Sequence, residues 1–189
     1  MLLSGAFAIR QNKQRAASHM KNKLLFLGAA VLLIAGIFFF LPKNQEKGTC
    51  VDGDCFNGVG MLVFKDGRKY TGNFAGGSYN GHGVLLLEDG RRYEGEWKND
   101  LPNGFGTQTN PDGAIYTGAW KDGKYDGQGT LTTADGGAYS GAWKDDVPHG
   151  TGTLTKPDGS KFTGEFRNGK AVGEGVLVSP GGKETKVSM

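Results

Sequence analysis

The sequence predicts an all-β repeat fold: an elongated, single-layer antiparallel β-hairpin solenoid of 23-residue units, preceded by one N-terminal transmembrane helix. Three observations predict it. A Gly-x-Gly pair returns every 23 residues, at Gly58/Gly60, Gly81/Gly83, Gly104/Gly106, Gly127/Gly129, Gly150/Gly152 and Gly173/Gly175. Aromatic residues return in the same phase through the chain's second half. One uninterrupted apolar run, Leu24 to Leu41, stands well apart from the repeats. A fixed period of this length marks stacked units that bury their apolar faces only against neighbours. The 34 glycines and 11% aromatic residues fit many short strands joined by tight turns, and low proline argues against collagen.

Taken in chain order, residues 1–23 are basic. Arg10, Lys13, Arg15, Lys21 and Lys23 stand there without a single acid. Ser18-His19-Met20 resembles a cloning scar, so residues 1–19 are assigned no function. Residues 24–41 (LLFLGAAVLLIAGIFFFL) hold 18 residues and no charge, about the minimum for a helix crossing a bilayer. Cations on the N-terminal side keep that end in the cytoplasm and send the rest across. Cleavage by signal peptidase is the rival reading, but the bulky Ile37-Phe38-Phe39-Phe40-Leu41 lacks a small-x-small site. The expectation is a single-pass membrane protein with its repeats periplasmic or extracellular. Residues 42–49 form a polar linker that spans at most about 28 Å.

Residues 50–69 hold a partial repeat. Where the phase predicts a first strand, the chain places Cys50 and Cys55 around Asp52-Gly53. Beyond a membrane such a pair oxidises and staples the exposed end of the array. Two free thiols, or half of a zinc site, are the alternatives; His82 and His149 fall in no matching phase for zinc.

Residues 70–180 hold five full units. Aromatics stand at Tyr70, Tyr93, Tyr116, Tyr139 and Phe162, and again four residues on at Phe74, Trp97, Trp120, Trp143 and Phe166, with a glycine midway. Alternation puts Tyr93, Gly95 and Trp97 on one strand face, and Glu94 and Glu96 on the other. Lys98 to Asn103 reads as a polar loop, Gly104-Phe105-Gly106 as the start of a second strand, and Pro111-Asp112-Gly113 as a tight turn. Residues 181–189 are a tail that pairs as a last edge strand or stays loose.

The units YEGEWKNDLPNGFGTQTNPDG, YTGAWKDGKYDGQGTLTTADG and YSGAWKDDVPHGTGTLTKPDG resemble MORN repeats (membrane occupation and recognition nexus). The resemblance implies a β-hairpin solenoid with roles in scaffolding, membrane proximity and assembly, and no common catalytic activity.

Charge and motif searches narrow the function further. From Pro42 onward 17 cations face 19 acids, so the repeats lack the basic footprint of a nucleic-acid binder. His82 and His149 sit in glycine-flanked turns three units apart. The Gly-x-Gly pairs open strands and have no helix behind them to cradle phosphate. No catalytic, cofactor-binding or metal-binding residue is assigned, and the chain is not expected to be an enzyme. Two cation columns, Lys98/Lys121/Lys144/Arg167 and Arg68-Lys69/Arg91-Arg92, read as a solubilising rim or as contacts for anionic lipid. The aromatic columns read as core or as an open groove. If a groove, Tyr70, Tyr93, Trp97, Tyr116, Trp120, Tyr139 and Trp143 line it, for a peptide or an envelope glycan. The expected partners are the membrane and a protein partner or second copy, with a glycan or lipid headgroup as the alternative.

Overall fold

The computed structural model describes residues 48–189. The basic segment, the apolar run 24–41 and nearly all of the linker lie outside the described residues. Among those described, no helix is long and apolar enough to cross a membrane.

Thirteen strands form one sheet in chain order. They are β1 (Thr49–Gly53), β2 (Val59–Val63), β3 (Lys69–Ala75), β4 (Ser78–Leu86), β5 (Arg92–Lys98), β6 (Leu101–Thr109), β7 (Ile115–Lys121), β8 (Lys124–Thr132), β9 (Ala138–Lys144), β10 (Val147–Thr155), β11 (Lys161–Arg167), β12 (Lys170–Val178) and β13 (Glu184–Ser188). Every neighbouring pair is antiparallel. With strands about 4.8 Å apart, the outermost strands stand about 58 Å from each other along the ladder.

Two kinds of connection alternate. The tips between β3 and β4, β5 and β6, and so on are two-residue turns. Asn99 and Asp100 both have positive φ (50° and 67°), as do Asp122 and Gly123 (50° and 80°). That backbone matches the twist of the flanking strands. The hairpin therefore closes at once, and the loop expected over Lys98 to Asn103 shrinks to two residues. The second strand starts at Leu101, three residues before the expected Gly104, and a bulge between Gly95 and Trp97 absorbs the difference. Between β2 and β11 the other connections are the Asp-Gly turns, while β12 and β13 are joined through Ser179 to Lys183. Each Asp accepts the N–H two residues on, as Asp89 does from Arg91 (3.0 Å) and Asp158 from Ser160 (2.8 Å).

The register puts glycine opposite glycine across the array. Gly83 faces Gly72 and Gly95, and Gly106 faces Gly95 and Gly118. This bare stripe makes room for the tyrosines. A Cβ on Gly83 would lie 2.3 Å from the Tyr70 hydroxyl oxygen, and one on Gly106 2.3 Å from that of Tyr93. Each ring thus lies flat over a neighbouring strand's backbone. Tyrosine hydroxyls donate to backbone carbonyls, Tyr93 to Glu96 (3.0 Å) and Tyr116 to Ala119 (2.9 Å). Indole N–H groups do the same, Trp97 to Gly83 (3.1 Å) and Trp120 to Gly106 (3.2 Å). Edge-to-face contacts link the rings into one column. Trp97 meets Tyr70 and Tyr93 at 5.4 and 5.0 Å, and Trp120 meets Tyr93 and Tyr116 at 5.0 and 5.3 Å. Such pairs are worth about 0.5–1.5 kcal/mol each beyond area burial. A single layer can therefore bury a core: the rings cover each other and the glycine stripe.

A double period runs beneath the 23-residue one. The second residue of the even strands alternates: Tyr79, Pro102, Tyr125, Pro148. Tyr79 stacks on Tyr70 at 3.7 Å and Tyr125 on Tyr116 at 3.5 Å. The next tip follows the alternation. After a tyrosine it carries an acid: Asp100 accepts the Tyr79 N–H at 2.7 Å, and Asp146 the Tyr125 N–H at 2.9 Å. Proline has no N–H to offer, and after Pro102 and Pro148 the tip carries Gly123 and Gly169. Left-handed backbone is unfavourable for a non-glycine residue; at Asp100 and Asp146 the added hydrogen bond offsets that cost.

The two ends are finished differently. Cys50 and Cys55 are joined, with Sγ atoms 2.06 Å and Cα atoms 5.9 Å apart. Cys55 Sγ lies over Gly60, where a Cβ would come within 2.9 Å of it. The disulfide thus covers the first glycine of the stripe much as a tyrosine covers the others. At the other end β13 pairs with β12 from Glu174↔Ser188 to Val178↔Glu184. Val187 and Met189 pack there against the last of the core.

Candidate interaction surface

The aromatic face is closed. Tyr70, Tyr93, Trp97, Tyr116, Trp120, Tyr139 and Trp143 are only 0–3% exposed. They lie in one column, as the repeat phase requires, but no ring offers a free face to a peptide or sugar. A groove lined by these seven rings is not a surface of the folded array; they are its core. Burial also raises the tyrosine pKa values, that of Tyr139 to about 12, with the Glu165 carboxylate adding to the rise.

What remains open is the opposite face, which presents the odd positions of one strand and their cross-strand partners. Its central row runs Glu94, Thr107, Thr117, Thr130, Ser140, Thr153 and Thr163, each across from the next. Hydroxyls pair along it: Thr107 with Thr117 at 3.1 Å, Thr130 with Ser140 at 2.9 Å, Thr153 with Thr163 at 2.9 Å. Beside this row Phe105 is 60% exposed, and its N–H is held by Glu96 Oε1 at 2.8 Å. Sequence alternation had placed Glu94 and Glu96 on this face. The Thr-x-Thr strings at 107–109, 130–132 and 153–155 carried the same signal.

Half of the eight column cations, Lys144, Arg68, Arg91 and Arg92, meet an acid, as does Lys124 outside the columns. Lys144 meets Asp126 at 2.7 Å and Lys124 meets Asp145 at 3.2 Å, both at the tips. Arg68 pairs with Asp66 at 2.6 Å beneath a stacked Phe64 ring, Arg91 with Asp89 at 2.8 Å and Arg92 with Glu94 at 2.6 Å. The exposed pairs among these add little stability, and each weakens the local field of the cation it holds. The Asp66, Asp89, Asp135 and Asp158 carboxylates at the turns are held below the usual range, that of Asp158 by the Ser160 hydroxyl and then its N–H. Asp146 goes the other way, raised by burial despite the Tyr125 N–H. His82 and His149 are both exposed, and no group of three or more ligating side chains is gathered for a metal among the described residues.

With hairpin, glycine stripe and aromatic column in place, the comparison with known families is decisive. The MORN repeat matches at residues 70–90, 93–115, 116–138, 139–161 and 162–184. The chain is a MORN-repeat protein. No curated protein sequence matches it. Among solved structures it is similar to the TCP domain of Drosophila melanogaster SAS-4 in complex with a proline-rich motif of Ana2. That likeness has 12% identity and a TM-score of 0.44, and covers 82% of this chain and 99% of that one. The Drosophila Sas-4 TCP10c domain has 14% identity and a TM-score of 0.38, over 75% and 99% of the two chains. The matched residues begin at Tyr70, after the disulfide-capped partial repeat.

Proposed function

We infer that this MORN-repeat protein is a membrane-anchored scaffold that holds its array outside the cytoplasm for a protein partner or for self-association. The observation that carries the scaffold reading is the closure of the aromatic face. Once the rings are spent on the core, the chain's long dimension is left as one open face of hydroxyls with an exposed Phe105. A surface of that kind suits an extended protein contact. The uncharged run 24–41, preceded by five cations, supports the anchor. The Cys50–Cys55 disulfide supports an oxidising compartment.

The test is a photo-crosslinking residue at Phe105 or Thr117, in the full chain, in membranes of the producing cell. The expected result is a discrete adduct or a covalent dimer that is absent when the probe sits in the core at Trp120. Recovery of monomer alone from both outer-face positions rejects the reading. Alkylation of the unreduced membranes tests the compartment: free Cys50 or Cys55 thiols place the array on the reducing side.

A further inference from the structure

The cap gathers exposed apolar side chains more densely than the repeats do. Six large apolar side chains are prominently exposed among the described residues, and three of them, Val51 (56%), Phe56 (62%) and Val59 (64%), fall within nine residues of the cap. All three are more than half exposed, with only the edge of the Phe56 ring bordering Gly77. Val51 is the bulge residue of β1, skipped between Cys50 and Asp52 in the pairing with β2. Val59 stands on the open face opposite Asn73, in the phase where later units carry His82, Phe105, Gln128 and Thr151, so only the unit at Phe105 repeats an apolar residue there. Phe56 occupies the phase of Tyr79, but with no ring stacked on it, and it sits in the β1–β2 turn.

That turn is held firmly. Phe56 O accepts the Gly77 N–H at 2.9 Å, Asn57 Oδ1 accepts the Gly76 N–H at 2.9 Å, and Asp54 Oδ1 takes the N–H groups of Phe56 and Asn57. The tip beside it, Ala75-Gly76-Gly77-Ser78, has no charge, whereas the other four tips all carry Lys or Arg. The N-terminal end therefore carries the one uncharged tip and three exposed apolar side chains, with the Asp52 and Asp54 carboxylates standing between Val51 and Phe56.

The chain fixes what lies near that end. The described residues begin at Gly48, and the apolar run ends at Leu41, seven residues earlier. If 24–41 crosses the bilayer, that stretch keeps the cap within about 25 Å of the membrane surface. From Pro42 to Lys69 five cations face four acids, so attraction to anionic lipid is not the driving force. Apolar side chains at the acyl boundary are.

We propose that the disulfide cap is a membrane-contact foot: Phe56, Val51 and Val59 enter the headgroup boundary of the bilayer that holds residues 24–41, and the array stands off that surface from its N-terminal end. The proposal rests on the anchor reading. The disulfide then has a second role, since it holds the β1–β2 turn in the shape that presents Phe56.

The experiment places a tryptophan at the foot of the full chain in vesicles of phosphatidylcholine, with and without bromine on the acyl chains. The native Trp97, Trp120 and Trp143 are buried and give a constant background. Phe56→Trp and Val59→Trp each add emission that brominated lipid should largely abolish. Phe105→Trp, five strands along the array, should add emission that it leaves intact. Flotation of the same vesicles reads the anchor separately. Chain that floats with an unquenched Trp at 56 and 59 overturns the foot and leaves the anchor standing. Equal quenching at 56 and 105 overturns it in favour of an array lying flat. Blue-shifted but unquenched emission at 56, with cross-linked dimers, overturns it in favour of a second copy covering the cap. Chain that does not float overturns both readings.

Discussion

Substituting alanine for Gly106 tests the packing principle of the whole array. Gly106 has no left-handed φ, so its backbone accepts alanine; the obstacle is the neighbour. The new Cβ would sit 2.3, 2.6 and 2.7 Å from Oη, Cζ and Cε2 of Tyr93. Ordinary carbon contacts lie near 3.5–4.0 Å, so the ring must retreat by about 1 Å or more. It has nowhere to go, because Trp97 and Trp120 hold it edge-on from both sides at 5.0 Å. Overpacking of this kind costs about 1–3 kcal/mol. Loss of the Tyr93 to Glu96 hydrogen bond adds about 1 kcal/mol. The restricted unfolded chain returns about 0.4–1 kcal/mol. The net expectation is a loss of about 2–3 kcal/mol, or about 4–12 °C in Tm for a domain of this size. Urea and thermal unfolding followed by tryptophan emission measure it. Gly181→Ala is the control: nothing lies within 4 Å of its Cβ, and it should be neutral or slightly stabilising. In a Tyr93→Phe background the closest clashing atom is gone, so the two substitutions should couple by about 1 kcal/mol. A Gly106→Ala protein as stable as Gly181→Ala, or strict additivity with Tyr93→Phe, would refute the claim that glycine is there to seat the ring.

Three further outcomes follow from the same structure. Gln108 stands in a column otherwise filled by Leu85, Leu131, Leu154 and Leu177; it is buried, its amide donates to Asn110 at 2.7 Å, and its Oε1 has no partner. Gln108→Leu should therefore stabilise the array by about 1–2 kcal/mol in the same melts, and a destabilised variant contradicts this account of the column. Reducing the Cys50–Cys55 bond should cost about 2 kcal/mol by loop entropy. The loss should stay local, because repeat units feel mainly their neighbours. Hydrogen exchange should rise in β1 and β2 and stay slow in β7 to β10, and uniform loosening speaks against the cap. Finally, all six tyrosines are buried and have raised pKa values. Their folded pKa exceeds the unfolded value near 10, so the unfolded chain ionises first. Stability should be whole below pH about 10 and fall as pH rises toward 12. Phenolate absorbance and loss of tryptophan signal should then appear together. Tyrosines that titrate at pH 10 in the folded array would show the rings to be open.

The sequence by itself determined a great deal here, and the reason is periodicity. A frame kept without insertion from Gly58 to Gly175 leaves few folds available, and alternation within Tyr-x-Gly-x-Trp says which residues share a face. The cysteine pair was legible because it stood where an aromatic strand was missing. What only the tertiary structure decided was which face is closed. Sequence gives Tyr93 and Trp97 the same side, but whether their rings stay open depends on whether a neighbour's backbone is bare beneath them. The register puts Gly106 there, and that pairing is set by a bulge and a two-residue tip. Neither shows in the pattern: Lys98 to Asn103 has the composition of a loop, and left-handed Asn99 and Asp100 turn all but two of its residues into strand. The Tyr79–Asp100 and Tyr125–Asp146 partnerships were hidden for a related cause. Their partners are 21 residues apart in the chain, and only the stacking of consecutive tips brings an N–H to a carboxylate. The rings that resembled a binding groove in sequence became the core, and the face left open is the side of the sheet where the threonines are.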